Sequence, residues 1–280
     1  MRTINKNAER FTSKILAIRK VGAYFHLVVE GGGIASHSRP GNFVAVAVGG
    51  DHTSMVLHRV FAIYRSRDDR TQGPVIELIV ARSGKGSEWL TEQQEGSELQ
   101  ITGPLGTSFP LPADPVNVAL VGGGYGSAPL FDLAEQLKAR GCRVHALIGA
   151  ATSSKVFAPL EGKRTVNSVS VTTDDGSAGV KGRVTDLLPE LIKREQIDLI
   201  YSCGPMRMLG AVDGIAKSFG IAHQISVEEA MACGIGICMT CVLPMRRDGE
   251  IAMVRACIEG PVIDSDEIAW EMFEGQAERA

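Results

Sequence analysis

The sequence predicts a protein of mixed β and α/β class, built in three consecutive parts. Short alternating runs of apolar and polar residues, separated by glycine and proline turns, predict an antiparallel β-barrel over residues 1–112. Strand and helix patterns then alternate through residues 113–225, which predicts a doubly wound parallel sheet. Four of the six cysteines follow in residues 226–280, where they predict a small C-terminal domain. We therefore expect three domains with these boundaries.

Composition limits the classes of function that fit this chain. Its 280 residues are 44% hydrophobic, which is enough for sizeable cores in about two domains with a small third. The net charge of −3 gives no sign of a polyanion-binding surface, so we expect no nucleic-acid partner. We find no apolar run of membrane-spanning length and no secretory signal. The expected protein is cytoplasmic, makes no membrane contact and keeps its thiols reduced.

The barrel segment contains two features that could bind an anion. Arg59 opens the strand pattern RVFAI, and Gly84-Lys85-Gly86-Ser87 precedes the one helix predicted here, KGSEWLTEQQ, which we expect to run to Gly96 with Ser87 as a possible N-cap. A glycine loop at a helix N-terminus presents free N–H groups to a phosphate. Each feature has an ordinary alternative, because a turn with a capping serine and a surface arginine are both common.

The α/β segment places a glycine loop between its first strand and first helix. Gly122, Gly123, Gly124 and Gly126 follow the strand VNVALV, where glycines let a pyrophosphate approach the backbone. Cys203-Gly204-Pro205 closes the fourth strand, although a buried cysteine alone can be a small apolar residue, which is our interpretation of Cys142. The loop GAATSSKVF after the second strand contains no carboxylate for a ribose, so NADP is not excluded.

The cysteines of the C-terminal part have a recognisable spacing. Cys233, Cys238 and Cys241 form C-x4-C-x2-C, and Cys257 follows after fifteen further residues. This is the ligand pattern of plant-type [2Fe–2S] ferredoxins. A zinc site would normally show two C-x2-C pairs, and a disulfide pair is the remaining alternative. A hairpin turning at residues 247–249 would return Cys257 to the loop, and metal binding would supply part of the stability of so small a domain.

Taken together, these motifs resemble a known superfamily. The order of Arg59, the 84–87 loop, Gly-Pro-Leu-Gly at 103–106, the glycine loop and Cys-Gly-Pro resembles the ferredoxin–NADP reductase superfamily. Nearly the whole chain resembles one family within it, the electron-transfer subunits of two-subunit, NAD-dependent dihydroorotate dehydrogenases. The segments SVEEAMACGIGICMTC, TTDDGSAGVKGRVTDLL and IEGPVI carry that resemblance. The flavin motif departs from the superfamily pattern R-P-x-S/T, because Val60 and Ala62 replace its proline and hydroxyl residue.

The resemblance implies three cofactors: FAD, a [2Fe–2S] cluster and NAD. The residues that it implies for flavin binding are Arg59, Val60, Phe61, Ala62, Ile79, Val80, Ala81, Gly86 and Ser87. Those implied for the nicotinamide nucleotide are Gly122, Gly123, Gly124, Gly126, Cys203, Gly204 and Pro205. The cluster ligands are Cys233, Cys238, Cys241 and Cys257. We predict no catalytic acid or base on this chain.

The implied function is that of an NAD(P)H oxidoreductase subunit in pyrimidine biosynthesis. An FMN-containing dehydrogenase subunit would pass electrons to this chain within a hetero-oligomer, and the chain would deliver them to NAD through the cluster and FAD. Two alternatives stay open. The same three parts would serve a ferredoxin:NADP oxidoreductase, a hydrogenase or a glutamate-synthase-like complex, and Val60 and Ala62 would also suit a scaffold that has lost its flavin.

Overall fold

The computed structural model describes residues 4–50, 53–157 and 164–274. Within these residues the chain forms a closed six-stranded barrel, a seven-stranded sheet and a two-stranded hairpin. This architecture confirms the predicted fold class of an antiparallel barrel, a parallel α/β sheet and a small C-terminal part. The order of the three along the chain is also as expected.

The barrel is antiparallel and has its own apolar core. Strand β2, Tyr24–Glu30, shows how a short apolar run forms it: Leu27 and Val29 are fully buried and face Leu78 and Ile76 of the neighbouring strand inside the barrel. The strands pair in the order β1-β2-β5-β4-β3-β6, and β6 closes on β1. Their bounds are β1 Glu9–Val21, β2 Tyr24–Glu30, β3 Phe43–Val46, β4 Arg59–Asp69, β5 Gly73–Ala81 and β6 Glu98–Leu105.

Two helices of the barrel differ from the sequence prediction. Helix α1, Gly32–His37, was not among the predicted elements, and it inserts Ile34 into the barrel core. Helix α2 spans Lys85–Thr91, so it ends before Gly96, and its N-cap is Gly84 rather than Ser87. The prediction for Ser87 was wrong because its hydroxyl acts from the third helical position, where it accepts hydrogen bonds from the N–H groups of Ser83 and Gly84.

The second part is a doubly wound sheet with helices on both faces. Alternate residues of its central strand β7, Asn117–Gly123, point to opposite sides. Val118 and Leu120 pack toward helix α3, Ala128–Ala139. Ala119 and Val121 pack toward helices α4, Val184–Glu195, and α5, Met206–Phe219. The strands are β7 Asn117–Gly123, β8 Arg143–Ala150, β9 Ser168–Thr173, β10 Val180–Lys181, β11 Leu199–Gly204 and β12 Ala222–Val227, all parallel. The helices are α3 Ala128–Ala139, α4 Val184–Glu195 and α5 Met206–Phe219.

The third part is joined to both other parts. Its hairpin, β13 Val242–Arg247 and β14 Glu250–Arg255, turns at Asp248 and Gly249, which both have positive φ as a tight hairpin loop requires. Helix α6, Ala256–Glu259, follows, and then β15, Val262–Asp264, pairs antiparallel with β12 of the central sheet in the order β10-β9-β8-β7-β11-β12-β15. The short helix α7, Glu271–Glu274, ends the described chain.

Packing and strand pairing bear on the division into three domains. Strand β12 continues past the expected boundary at residue 225, and β15 returns to its sheet. The apolar core around the cysteines also includes Phe43, Ala45 and Leu105 of the barrel. The division into three domains remains a proposal, in which the C-terminal part packs against both the barrel and the central sheet. No helix in the described ranges is long and apolar enough to cross a membrane.

Candidate functional site

Three of the four predicted cluster ligands lie on one short loop, and Cys257 of helix α6 lies beside the last of them, Cys241. The Sγ atom of Cys233 accepts hydrogen bonds from the N–H groups of Ile237 at 3.4 Å and Cys238 at 3.5 Å. Gly236 has a φ of +80°, and a Cβ there would lie 2.6 Å from Ile258. The loop can therefore wrap closely around its own sulfur atoms only because a glycine stands at this position.

The thiols form two adjacent pairs. Cys233 lies beside Cys238, whose pKa is lowered to about 6 mainly by the hydroxyl of Thr240. Cys241 lies beside Cys257, and their mutual hydrogen bond lowers the pKa of Cys241 and raises that of Cys257. In the described part of the chain, no three His, Cys, Asp or Glu side chains are grouped closely enough to hold one metal ion. Four thiols without a carboxylate suit zinc as well as a cluster, so it is the C-x4-C-x2-C spacing followed by the distant Cys257 that favours a [2Fe–2S] cluster.

A cavity of about 920 Å³ lies beside this loop and touches all three parts of the protein. The barrel contributes Arg59, Val60, Phe61, Ala62 and Ile79; the central sheet contributes Tyr125, Gly126, Cys203 and Pro205; the C-terminal part contributes Met231, Ala232 and Thr240. A largely apolar cleft of this size at a domain junction is typical of a cofactor site. Segments that are far apart in sequence thus meet at one place.

The flavin candidates of the barrel divide into those that line this cavity and those that do not. Arg59 lines it, and a Cβ on Gly86 would collide with the Arg59 side chain, so the glycine lets the guanidinium lie across the start of α2. Nη1 of Arg59 donates to the carbonyl of Leu57 at 2.8 Å. Val80 points into the barrel core instead, and the hydroxyl of Ser87 is engaged within its own turn. Ala81 packs at the edge of an aromatic cluster outside the cavity.

The glycine loop positions the nucleotide candidates at the point where the strand order reverses. A Cβ on Gly122 would lie 2.5 Å from that of Ser127, one on Gly123 would lie 2.9 Å from Pro205, and one on Gly126 would lie 2.8 Å from Gly204. These glycines therefore allow the loop after β7 to pack on the end of β11. Gly124 has a φ of +57° and starts the turn. The crevice between β7 and β11 is where open α/β sheets bind their ligands.

Cys203 faces the cavity as a neutral thiol. It is almost fully buried, and burial raises its pKa to about 12. The side chain can therefore contact a nicotinamide ring but does not supply a thiolate. Cys142, by contrast, lies in the apolar core under α3, which confirms the interpretation of that residue as a small buried side chain.

Two glutamates of the cavity wall were missed from the sequence. Glu228 and Glu229 follow β12 directly and line the cavity beside Cys203. Glu228 stays exposed to solvent, yet partial desolvation by the cavity wall raises its pKa to about 6, and the pKa of Glu229 is raised for the same reason. The available signal was a pair of carboxylates directly after the strand HQISV, at the carboxyl edge of the sheet.

A pair of aspartates was also missed, because strand adjacency brings it to the loop after β8. Asp174 and Asp175 follow β9, and their N–H groups donate to the carbonyls of Ala150 at 3.1 Å and Ala151 at 3.4 Å. The N–H of Ser153 donates to Ser177 Oγ at 2.8 Å, and this hydroxyl donates to Asp175 at 2.6 Å. These bonds from Ser177 lower the pKa of Asp175. The carboxylates absent from the loop after β8 are therefore supplied by the next strand.

Comparisons with known proteins agree with this arrangement. The model of the iron–sulfur cluster binding domain of dihydroorotate dehydrogenase B matches residues 228–269. The electron transfer subunit of dihydroorotate dehydrogenase B (NAD+) from Desulforamulus reducens is 32% identical over 262 residues, covering 93% of this chain and 98% of the relative. Its counterpart from Geobacillus thermodenitrificans is 37% identical over 246 residues, covering 87% and 92%.

Solved structures share the fold over most or nearly all of the chain. An NADH-dependent reduced ferredoxin–NADP oxidoreductase superposes with a TM-score of 0.80 at 27% identity, covering 96% of this chain and 93% of that one. The ferredoxin reductase of carbazole 1,9a-dioxygenase matches with a TM-score of 0.62 at 19% identity, covering 76% and 67%. The fold is that of flavin-dependent reductases of the ferredoxin–NADP reductase type, extended by an iron–sulfur domain. The chain belongs to the family of dihydroorotate dehydrogenase B (NAD+) electron transfer subunits.

Proposed function

We propose that this chain carries electrons between a dihydroorotate-oxidising partner subunit and NAD. The observation that carries the proposal is the single cavity whose wall includes the flavin candidates, Cys203 and Thr240. A carrier that connects three cofactors needs their sites to be adjacent, and these residues belong to three parts of the chain. When bound, the cluster supplies single-electron transfer and FAD supplies the exchange between single electrons and hydride.

The residues of this chain bind and orient the cofactors. The cysteines at 233, 238, 241 and 257 hold the cluster as thiolates. Arg59 places a fixed positive charge beside Gly86, which suits a flavin phosphate. Ala62 offers no hydroxyl to the flavin ring, so contact there is limited to the backbone and apolar surface. Gly126, Cys203 and Pro205 form the opposite wall, where a nicotinamide ring can lie against the flavin.

The acidic turn after β9 favours NAD over NADP. Asp174 and Asp175 lie beside the loop after β8, where ribose hydroxyls are usually bound, and Ser177 holds Asp175 in its charged form. A carboxylate accepts hydrogen bonds from a ribose diol and repels a 2′-phosphate. Replacing both aspartates by serine should lower the ratio of kcat/KM for NADH to that for NADPH about tenfold, the factor for about 1.4 kcal/mol. An unchanged ratio would show that this turn does not contact the nucleotide.

The partner that we propose is an FMN-containing dehydrogenase subunit in a cytoplasmic hetero-oligomer. The support is the exposure of the cluster loop, because Ile237 is 75% exposed and Met239 is 51% exposed on either side of Cys238. Apolar side chains of this size are unfavourable in water and suit a protein interface. Electrons would then cross where the cluster is nearest the surface.

A second candidate is an electron-transfer subunit of a ferredoxin:NADP oxidoreductase complex. The observation that favours it is the 27% identity and TM-score of 0.80 with an NADH-dependent reduced ferredoxin–NADP oxidoreductase. The curated relatives, at 32% and 37% identity, favour the dihydroorotate dehydrogenase complex instead. A flavin-free scaffold is less well supported, since Arg59 and other flavin candidates line one cavity large enough for a cofactor.

Reconstitution tests the proposal directly. The purified chain should contain FAD, two irons and two sulfides, and it should reduce artificial dyes with NADH but not oxidise dihydroorotate. Addition of a matching FMN-containing subunit should create dihydroorotate:NAD activity. Removal of the cluster should abolish that coupled activity while hydride exchange between NADH and FAD continues. Dihydroorotate oxidation by the isolated chain would overturn the proposal, and coupling to ferredoxin alone would favour the second candidate.

A further inference from the structure

Hydrogen bonds to the cysteine sulfurs come almost entirely from the backbone. The N–H groups of Ile237 and Cys238 donate to Cys233, and that of Cys257 donates to Cys241 at 3.4 Å. In the described part of the chain, the hydroxyl donor to these sulfurs is Thr240, whose Oγ1 lies 3.1 Å from Cys238 Sγ. This contact can be removed by a side-chain substitution that leaves every backbone donor in place.

Thr240 also lies on the side of the loop that faces the cofactor cavity. It stands between two ligands, Cys238 and Cys241, and lines the same cavity as Ala62 and Cys203. The residue is exposed on the surface of the loop and is not part of an apolar core. Its packing therefore contributes little to stability, while its hydroxyl is well placed to act on the cluster.

A hydrogen bond to a ligand sulfur alters the electron affinity of a cluster. Reduction adds one negative charge, and part of this charge spreads onto the thiolate sulfurs. A donor aimed at such a sulfur stabilises the reduced form more than the oxidised form, so it raises the reduction potential. Cys238 is the exposed ligand, whereas Cys241 and Cys257 are buried, so the donor acts on the ligand nearest to solvent and to an incoming partner.

We propose that Thr240 sets the reduction potential of the cluster through its hydroxyl contact with Cys238, and so sets how the electron is shared between cluster and flavin. The inference rests on the proposed cluster at the four cysteines. Thr240 is a positioning and tuning residue, since it does not ligate the metal. One such hydrogen bond contributes a net of about 0.5–1.5 kcal/mol. Its loss should therefore change the equilibrium constant for electron transfer between cluster and flavin by roughly two- to tenfold.

The test is a redox titration of the purified protein, monitored by the electron paramagnetic resonance signal of the reduced cluster. Thr240→Val keeps the shape of the side chain and removes the hydroxyl, so its midpoint potential should fall. A tenfold shift corresponds to 59 mV for a one-electron couple. Thr240→Ser keeps the hydroxyl and should retain the parent potential. Iron and sulfide content, measured first, should be the same in all three proteins.

The outcomes separate this inference from the proposed function. A parent protein without a two-iron signal would overturn both. A parent with the signal, and a Thr240→Val variant at the same potential, would overturn only the role of Thr240. An equal fall in the valine and serine variants would also overturn it, because the hydroxyl would then not be the cause. A lower midpoint potential in the Thr240→Val variant, with the parent potential in Thr240→Ser, supports the inference.

Discussion

The barrel wall and the C-terminal wall of the cavity are stabilised in different ways. The barrel is closed, and fifteen buried residues form a core that belongs to it alone. The C-terminal wall shares one core with Phe43 and Leu105 of the barrel and Leu209 of helix α5, and it carries two buried cysteines there. We therefore expect the flavin side to keep its shape without its cofactor, and the cluster side to depend on its neighbours and on its metal.

The largest expected effect is the loss of the cluster when Cys238 or Cys241 is replaced. Cys238→Ser and Cys241→Ser should both abolish the two-iron signal, because each removes a ligand. Cys241 is only 2% exposed, so a serine hydroxyl there should also destabilise the metal-free protein by about 1–3 kcal/mol. Cys238 is exposed, and its serine variant should unfold like the metal-free parent. Iron analysis checks the loss of the cluster, and urea unfolding checks the stability of each variant. Equal stability of the two variants would contradict the expected difference between the buried and the exposed cysteine.

The second effect concerns the barrel wall alone. Arg59→Ala should weaken FAD binding about ten- to a hundredfold, because it removes a charge-assisted contact worth about 1.5–3 kcal/mol. Arg70→Ala, at an exposed turn between β4 and β5, is the matched control and should bind FAD like the parent. Flavin fluorescence measures the affinity. Loss of the cluster signal in Arg59→Ala would show that the two walls are not independent.

The third effect concerns the partner. Ile237→Asp introduces a charge at a 75% exposed apolar position beside Cys238, and it should weaken binding of the dehydrogenase subunit about tenfold or more. Met253→Asp, on the hairpin strand β14 and 54% exposed, changes the charge equally and should have little effect. Titration of the partner while dihydroorotate:NAD activity is followed gives both affinities. Equal losses in the two variants would move the interface away from the cluster loop.

Local patterns in the sequence were sufficient for the fold and for the cysteine ligands. The apolar run of β2 and the spacing of Cys233 to Cys241 are properties of neighbouring residues, so both can be recognised without a structure. Helix α1 was missed because three glycines normally indicate a turn, and burial of Ile34 outweighs that local preference. Ser87 was misplaced because, from the third helical position, its hydroxyl accepts hydrogen bonds from the N–H groups of Ser83 and Gly84 before the helix, whereas a capping serine would accept them from within the first turn.

The parts of the site that could not be predicted depend on which strands are adjacent. Asp174 and Asp175 lie beside Ala150 and Ala151 because β8 and β9 pair in parallel, and no local spacing reveals that pairing. The junction between the cluster loop and the flavin wall depends on packing across more than a hundred residues of sequence. Its lining, including Glu228 and Thr240, was therefore visible only after the three parts were assembled.

The smallest expected effect concerns a carboxyl group in the cavity between the barrel wall and the C-terminal wall. Glu228 lines the cavity, and its pKa in the folded protein is raised from 4.5 to about 6 by desolvation. A carboxyl with a raised pKa favours the folded state at low pH, and this contribution is lost as the pH rises from 4.5 through 6. Glu228→Gln does not titrate, so it should become more stable than the parent above pH 6 but not below pH 4.5. The gain should be less than about 1 kcal/mol because solvent in the open cavity screens the charge. If Glu228→Gln were more stable than the parent by the same amount at every pH, the carboxyl group of Glu228 would not be desolvated in the cavity.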